Sequence, residues 1–191
     1  MKFDLHKSVS FGDETHAIRY DFRVILEIIT MLQDADLSGA DKTEALLDMF
    51  YLEPDEVRDV QSAVNAAFDF IEAGSRRKKK SKRLMDWEQD WEYIIAPINR
   101  VLGFDARGVE YDKDENTGGV HWWTFLGAYM EIGGDCLYAQ IVSIRDKRSR
   151  NKKLEKYERE WAKRNSDLVQ LQSKYTQAED ELVNEWTNGG G

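Results

Sequence analysis

The sequence predicts a mainly α-helical domain with a small N-terminal β-hairpin and a long, coiled-coil-like amphipathic helix at the C-terminus. Three observations support this prediction. The 191 residues include only two prolines and are rich in Glu, Lys, Leu and Ala, a composition that favours helices. Apolar residues recur at intervals of three and four along much of the chain, as on one face of a helix. The last segment keeps a seven-residue apolar repeat.

Composition indicates a globular protein and excludes several other classes. Hydrophobic residues make up 41% of the chain and aromatic residues 12%, which is enough for a core. A single cysteine excludes a disulfide framework, and with three histidines a structural zinc site is nearly excluded. No apolar run of about 18 residues predicts a membrane span, and residues 1–10 lack the apolar stretch of a secretory signal. We therefore expect a cytoplasmic protein without metal or cofactor.

Charge is segregated along the chain and indicates its organisation. The formal net charge of −9 divides into −10 for residues 1–75, +7 for 76–83, −8 for 84–144 and +2 for 145–191. Such asymmetry informs about organisation and partners rather than about fold. We predict an N-terminal hairpin with a helical subdomain at 1–75, a basic linker at 76–83, an aromatic-rich helical subdomain at 84–145, and a heptad helix with a frayed tail at 146–191. The two helical halves form either two subdomains or one packed unit.

The N-terminal hairpin is predicted from two short extended segments on either side of a glycine. Ser8–Phe11 and Thr15–Arg19 flank Gly12, which can adopt the positive φ that a tight turn needs. Asp21 then carries a side chain suited to N-cap the first helix. Apolar residues follow at helical spacing, namely Phe22, Ile25, Ile29 and Leu32.

Two more helices are predicted before the linker. The second opens at Ser38 or Asp41, with Glu44 as the capping-box partner of Asp41. Pro54 suits the first turn of the third helix, because the N–H that proline lacks has no helical partner there. Gly74 is a natural C-terminal stop for this helix.

The second half of the chain is predicted to be helical around one polar loop. Asp86 N-caps a helix that Pro97 should kink or divide and that ends at Gly103. The following elements are a polar loop at 105–119, a short aromatic helix at Val120–Glu131, and a helix that starts at Asp135.

The C-terminal segment carries the heptad register, which only Arg164 interrupts. Its apolar positions are Leu154, Tyr157, Trp161, Leu168, Leu171, Tyr175, Ala178 and Leu182. This pattern predicts an amphipathic helix of more than about 30 residues. Either the helix folds back on its own domain, or it self-associates or captures another amphipathic helix. An apolar stripe does not identify the surface that covers it, so both alternatives stay open.

The linker contains a basic run of a kind that can bind nucleic acid. Its members are Arg76, Arg77, Lys78, Lys79, Lys80, Lys82 and Arg83. Basic side chains add salt-sensitive affinity for a phosphate backbone, but no aromatic residue for base stacking lies within the run, and both flanking blocks are acidic. A solvated linker that offsets the charge of its neighbours is the favoured interpretation.

Patterns typical of metal sites and catalysis are absent or incomplete in the sequence. Residues 112–116 place oxygen ligands at alternate positions, as in a calcium loop, but Thr117 replaces the required glycine and Trp123 the required glutamate. His121 has no orienting carboxylate or nucleophile at a suggestive spacing. No Gly-rich phosphate loop, Gly-x-Ser-x-Gly or His-Glu-x-x-His motif occurs. We therefore expect no enzymatic activity.

Several segments occur in an order that resembles the bacteriophage gene-product-fifteen family. A hairpin turn leads into Tyr20-Asp21-Phe22-Arg23, and the basic run leads into Ser81–Asp90. Next come Gly103-Phe104-Asp105, His121-Trp122-Trp123 with Phe125, and Gln140-Ile141-Val142-Ser143-Ile144-Arg145. The resemblance covers roughly residues 8–160. We expect the heptad helix beyond it to be an extension of the family pattern.

The resemblance implies a role in phage tail assembly within the host cell cytoplasm. Genes of this family lie near the tape-measure gene, which points to a chaperone-like partner of the tape-measure protein or another tail protein. The expected contact residues are Trp122, Trp123, Phe125 and Tyr129 of the aromatic helix, and Trp161, Leu168, Leu171, Tyr175 and Leu182 of the heptad stripe. From the residues alone, core packing is the favoured role of the aromatic helix, because its aromatic residues share one broad helical face. The alternative functions are a structural component retained in the tail, and a nucleic-acid-binding module that uses residues 76–83.

Overall fold

The computed structural model describes residues 4–73 and 82–172, and this part of the chain is mainly helical. Its helices are α1 (Phe22–Leu32), α2 (Gly39–Phe50), α3 (Val60–Ile71), α4 (Trp91–Leu102), α5 (Trp122–Met130), α6 (Leu137–Ser149), α7 (Lys156–Arg164) and α8 (Ser166–Val169). Its strands are β1 (Ser8–Phe11), β2 (Glu14–Ala17), β3 (Tyr111–Asp112) and β4 (Thr117–Gly118). The predicted helical class with an N-terminal hairpin is confirmed.

The N-terminal hairpin leads directly into the core. β1 and β2 pair in antiparallel register around Gly12, whose φ is +58°. The second strand ends at Ala17 rather than at the predicted Arg19, because Ile18 turns away to bridge Tyr51 after α2. Asp21 N-caps α1 as predicted and accepts a hydrogen bond from the Arg23 N–H.

The boundaries of α2 and α3 depart from the prediction in two places. Ser38 N-caps α2, and its capping-box partner is Asp41 rather than Glu44, because Asp41 stands at the third helical position after Ser38. Pro54 does not open α3. It starts a separate 3₁₀ turn, and α3 begins only at Val60, where the Asp59 carboxylate accepts from the Ser62 N–H. The predicted stop at Gly74 lies outside the described residues.

Helix α4 starts later than predicted and continues past its proline. Asp86 caps a turn that precedes the helix, accepting from the N–H groups of Glu88 and Gln89 at 3.0 and 2.7 Å. The helix itself begins at Trp91. Pro97 does not divide it, and Gly103 ends it in the left-handed conformation, with φ +79°, as predicted.

The stretch at 105–119 is more ordered than the predicted polar loop. It contains a 3₁₀ turn at Ala106–Gly108 and the short hairpin of β3 and β4. The predicted aromatic helix is present as α5, and the helix expected from Asp135 begins at Leu137.

One hydrophobic core joins the two predicted subdomains. Its fully buried members come from both sides of the linker and include Ile25, Phe50, Ile94 and Phe125. Phe22 of α1 stacks on Phe125 of α5, with ring centroids 4.2 Å apart. The first and fifth helices are therefore packed against each other in the same core.

The described residues of the C-terminal segment do not form the predicted single long helix. In the described part of the segment, α7 and α8 are separated at Asn165, whose φ of −121° is not helical, and the backbone is extended at Gln170. Leu154 precedes α7. The chain breaks here because α8 packs against α6, where Arg145 binds the carbonyl oxygens of Leu168 and Val169. Residues 173–191 lie outside the described residues.

Candidate partner-binding site

An apolar groove opens where the N-terminal segment, the chain after α4 and the start of α5 meet. Its volume is about 320 Å³, and it is lined by residues that include Leu5, Tyr20, Phe104, Val109, Val120 and His121. Leu5 and Phe104 are 47% and 46% exposed, and they line the same groove, which makes a shared apolar patch rather than two isolated side chains. We call this feature the Leu5–Phe104 groove.

The groove is built on a short backbone ladder between two helix starts. The Phe22 N–H donates to the Val120 carbonyl at 3.0 Å, and the Trp122 N–H donates to the Tyr20 carbonyl at 2.7 Å. The buried Asp21 carboxylate accepts from the Val120 N–H at 2.7 Å as well as capping α1. This ladder holds the beginnings of α1 and α5 side by side.

Gly119 allows this close approach. Its φ is +72°, and a Cβ at this position would overlap Oδ2 of Asp21. An L-residue would therefore be strained in its backbone and would displace a buried carboxylate at the same time.

Gly119→Ala is expected to destabilise the protein by more than the roughly 1–2 kcal/mol that a left-handed L-residue costs, because Asp21 must also move. Gly127→Ala is the matched control. Gly127 lies in α5, and no neighbouring atom lies within 4 Å of the position that a Cβ would take, so alanine there should be neutral or stabilising by about 0.5–1 kcal/mol. Urea unfolding followed by circular dichroism measures both variants, and equal stabilities would contradict the assigned role of Gly119.

The polar floor of the groove is a histidine held at both ring nitrogens. Nδ1 of His121 accepts from the Trp123 N–H at 3.1 Å and so N-caps α5, while Nε2 lies 2.8 Å from the His6 carbonyl. Nδ1 is therefore the acceptor and Nε2–H the donor, which is a neutral tautomer. Tyr20 stacks on the imidazole with ring centroids 5.4 Å apart, and Nζ of Lys7 lies 4.7 Å from the centroid of the Tyr20 ring.

Burial lowers the pKa of His121 below its ordinary value, although the hydrogen bond to His6 opposes the shift. A histidine whose pKa is lower when folded stabilises the protein above its unfolded pKa of about 6.5, and this contribution is lost as pH falls through the folded-state pKa. Protonation also removes the acceptor that caps α5.

His121→Asn is expected to reduce the loss of thermal stability from about pH 7 to about pH 5, because asparagine N-caps a helix without titrating. Melting temperatures of the wild type and the variant across this range measure the difference. Parallel pH profiles would show that His121 does not contribute to acid sensitivity.

The aromatic residues predicted to bind a partner lie largely within the core. Trp122 is 2% exposed and donates from Nε1 to the Ile71 carbonyl at 2.7 Å, and Phe125 is fully buried. Trp123 is half-buried and donates to the Phe70 carbonyl at 2.8 Å. Tyr129 is hydrogen-bonded to the Tyr138 hydroxyl, and burial raises the pKa of both. As folded, Trp122 and Phe125 offer almost no surface to a partner.

The heptad residues are divided by the helix break. Trp161, Leu168 and Leu171 are half-buried in the described structure. Tyr175 and Leu182 lie outside the described residues. The described part folds back on α6, and self-association through the C-terminal segment stays a prediction.

Two members of the basic run are described, and both have contacts within the chain. Nζ of Lys82 donates to the Ser149 carbonyl, and Arg83 pairs with the buried Asp86. Arg76, Arg77, Lys78, Lys79 and Lys80 lie outside the described residues.

The calcium-like loop is a turn within the second hairpin. The Asp112 carboxylate accepts from the N–H groups of Asp114 and Glu115 at 3.0 and 2.9 Å, which uses it for local structure. Among the described residues, no group of three or more His, Cys, Asp or Glu side chains has a metal-binding arrangement. Within residues 4–73 and 82–172, no helix combines the length and apolar character that a membrane crossing requires.

Sequence reasoning missed the Leu5–Phe104 groove. Its walls come from four separate stretches of the chain, and none carries a periodic pattern. No local signal was available, because a single apolar residue such as Phe104 in a polar stretch is normal on a protein surface.

Comparison with known protein families identifies the family to which this chain belongs. The family described as Bacteriophage Gp15 protein matches residues 2–171. The chain belongs to this family, which indicates a phage structural or morphogenesis protein. The match passes through α7 and α8, so the expectation that the family resemblance ends near residue 160 is wrong. Neither the curated proteins nor the solved structures contain a match.

Proposed function

We propose that this protein is a non-enzymatic tail-assembly chaperone that binds and solubilises the tape-measure protein of its phage in the host cell cytoplasm. The observation that carries the proposal is the family match over residues 2–171. Genes of the family that the sequence resembles lie near the tape-measure gene, which supports a role as a dedicated partner of the tape-measure protein for a sequence without catalytic motifs.

The surface chemistry supports this proposal. A tape-measure protein is a long amphipathic helix, and its apolar side aggregates unless another surface covers it. The Leu5–Phe104 groove offers an exposed apolar contact, with Leu5 and Phe104 on its rim. The net charge of −9 keeps a complex dispersed.

The groove can be tested by co-expressing the full chain with tape-measure fragments and isolating complexes by size-exclusion chromatography. Leu5→Asp with Phe104→Asp places charge on the rim and is expected to reduce complex formation at least tenfold, since a buried unpaired charge costs several kcal/mol. Val60→Asp is the matched control, because Val60 is 45% exposed at the start of α3 and is not one of the residues that line the groove. Equal complex formation by all three proteins would exclude the groove as the contact.

A structural component that remains in the tail is the alternative within the same family class. Quantitative mass spectrometry of purified virions distinguishes the two roles. A chaperone is expected to be absent, whereas a component would be present in stoichiometric amount.

A further inference from the structure

The C-terminal part of the described structure, residues 152–172, forms a cover on α6 that we call the strap. Its apolar contacts are small and separate from the main core. Ile144 of α6 packs with Ala162 and Val169 of the strap in a second buried cluster, with Leu154 and Trp161 at its edge. A unit held by so few buried side chains can open at a lower free energy than the main core.

Much of the remaining attachment consists of side chains that bind the strap backbone. Gln89 donates from Nε2 to the Gln170 carbonyl at 2.8 Å and accepts from the Gln172 N–H at 3.1 Å. Arg145 donates from Nε to the Val169 carbonyl at 3.1 Å. Water can replace these hydrogen-bond partners when the strap leaves α6. The hydrogen bonds therefore contribute only modestly to the free energy of docking.

A buried ion pair holds Arg145 independently of the strap. Its guanidinium binds both carboxylate oxygens of Asp90 at 2.6 and 2.9 Å and also the Leu84 carbonyl. Arg145 therefore keeps partners in the body of the protein when the strap carbonyls are absent. Opening the strap therefore leaves Arg145 paired, and the ion pair that it separates joins Lys147 of α6 to Glu158 of the strap, with Nζ and Oε1 2.5 Å apart. Water can solvate both charges once the strap has left α6.

In the docked strap the helix is interrupted. α8 has four residues and no side-chain N-cap, and it is separated from α7 at Asn165. A helix of this length has little stability of its own. The break directly follows Arg164, the single position where the heptad register fails. The sequence pattern favours one continuous helix, and the docking contacts favour two pieces.

The docked form also divides the apolar stripe. Tyr157 is 65% exposed on α7, whereas Val169, which is not a stripe position, is buried against α6. A continuous helix would bring Tyr157, Trp161 and Leu168 onto one face, because these positions share the heptad register.

We propose that the strap is a releasable cover that undocks from α6 while the main core stays folded, and that its released form is one continuous amphipathic helix. The released face suits a second amphipathic helix at heptad spacing. The identification of this second helix as the tape-measure protein rests on the proposed function. The release of the strap does not depend on it. Docking of the strap thereby controls whether Tyr157, Trp161 and Leu168 lie on one continuous helical face.

Hydrogen–deuterium exchange of the full chain tests the release without a partner. Strap peptides are expected to exchange at least tenfold faster than peptides of α1 and α3. Gln89→Ala should accelerate strap exchange a further three- to tenfold and leave α1 and α3 unchanged. Gln61→Ala is the control, because Gln61 is exposed on α3 and its side chain bonds, among the residues that the structure describes, to Asn65 on the same helix. Exchange of the strap at the rate of the core, or equal acceleration of both by Gln89→Ala, would overturn the proposal.

A pair of substitutions at Asn165 tests whether the released strap is helical. Asn165→Ala and Asn165→Gly both remove the side-chain bond to the Trp161 carbonyl, but alanine favours a continuous helix and glycine disfavours it. A helical released state predicts severalfold more opening in the alanine variant. More opening in the glycine variant would show that the released strap is coil. Neither outcome depends on tape-measure binding, so failure here leaves the proposed function untouched.

Discussion

Replacing Arg145 with methionine is expected to destabilise the protein by about 3–5 kcal/mol, the cost of breaking a buried ion pair by removing one partner. Arg145 is 5% exposed and Asp90 1%. The variant leaves the Asp90 carboxylate in the interior, where its remaining hydrogen bond comes from the Asp86 N–H. Urea unfolding with linear extrapolation measures the change.

Arg100→Met is the matched control for this prediction. Arg100 pairs with Asp135 at 3.1 Å, but both side chains are largely exposed, and exposed pairs contribute little to stability. The double variant Asp90→Leu with Arg145→Met should recover part of the loss, because no buried charge is left without a partner. Similar unfolding free energies for Arg145→Met and Arg100→Met would contradict the central position given to the Arg145–Asp90 pair.

Trp122→Ala is expected to cost about 3–5 kcal/mol, the usual loss for a large aromatic side chain removed from a core. The ring forms a three-ring cluster with Trp87 and Phe125, whose centroids lie 6.0 and 6.1 Å from that of Trp122. Truncation leaves a cavity in the main core and an unpaired Ile71 carbonyl. Urea unfolding again provides the measurement.

Trp122→Phe separates the loss of apolar packing from the loss of the hydrogen bond. Phenylalanine keeps most of the apolar contact but lacks the N–H that binds the Ile71 carbonyl, so its loss should be much smaller than that of alanine. A Trp122→Ala protein that kept wild-type stability while losing tape-measure binding would contradict a core role and favour direct partner contact.

The sequence correctly predicted those helix boundaries whose determinants lie within a few residues of the boundary itself. Asp21 and Ser38 act as N-caps because each carries a short oxygen-bearing side chain directly before an apolar helical repeat. Gly103 ends α4 because it tolerates a positive φ. These interactions need no knowledge of the tertiary fold.

The failures depend on distant contacts. Nothing near Asn165 in the sequence shows that Arg145, twenty residues upstream, holds the carbonyl of Val169. The heptad pattern therefore predicted one helix where packing against α6 produces two. The hairpin of β3 and β4 was missed for a related reason: its strands have only two residues each, too few for an alternating pattern.

The candidate site also combines features that local sequence predicts with features that depend on distant contacts. The helical spacing of Trp122, Phe125 and Tyr129 favoured core packing, and the structure buries Trp122 and Phe125. Contact of this segment with a partner stays a prediction. The Leu5–Phe104 groove arises only when the backbone ladder brings Val120 beside Phe22. Its partner function remains a proposal, whereas the family membership follows from the match over residues 2–171.

The most direct test of the proposed chaperone role is the soluble fraction of the phage's own tape-measure protein, expressed with and without this chain. Supernatant and pellet are compared by quantitative immunoblotting, with an unrelated acidic protein as the control for net charge. We expect the tape-measure protein to move from the pellet to the supernatant only when this chain is present, and the two proteins to co-purify. An unchanged distribution, with no co-purification, would contradict the chaperone role.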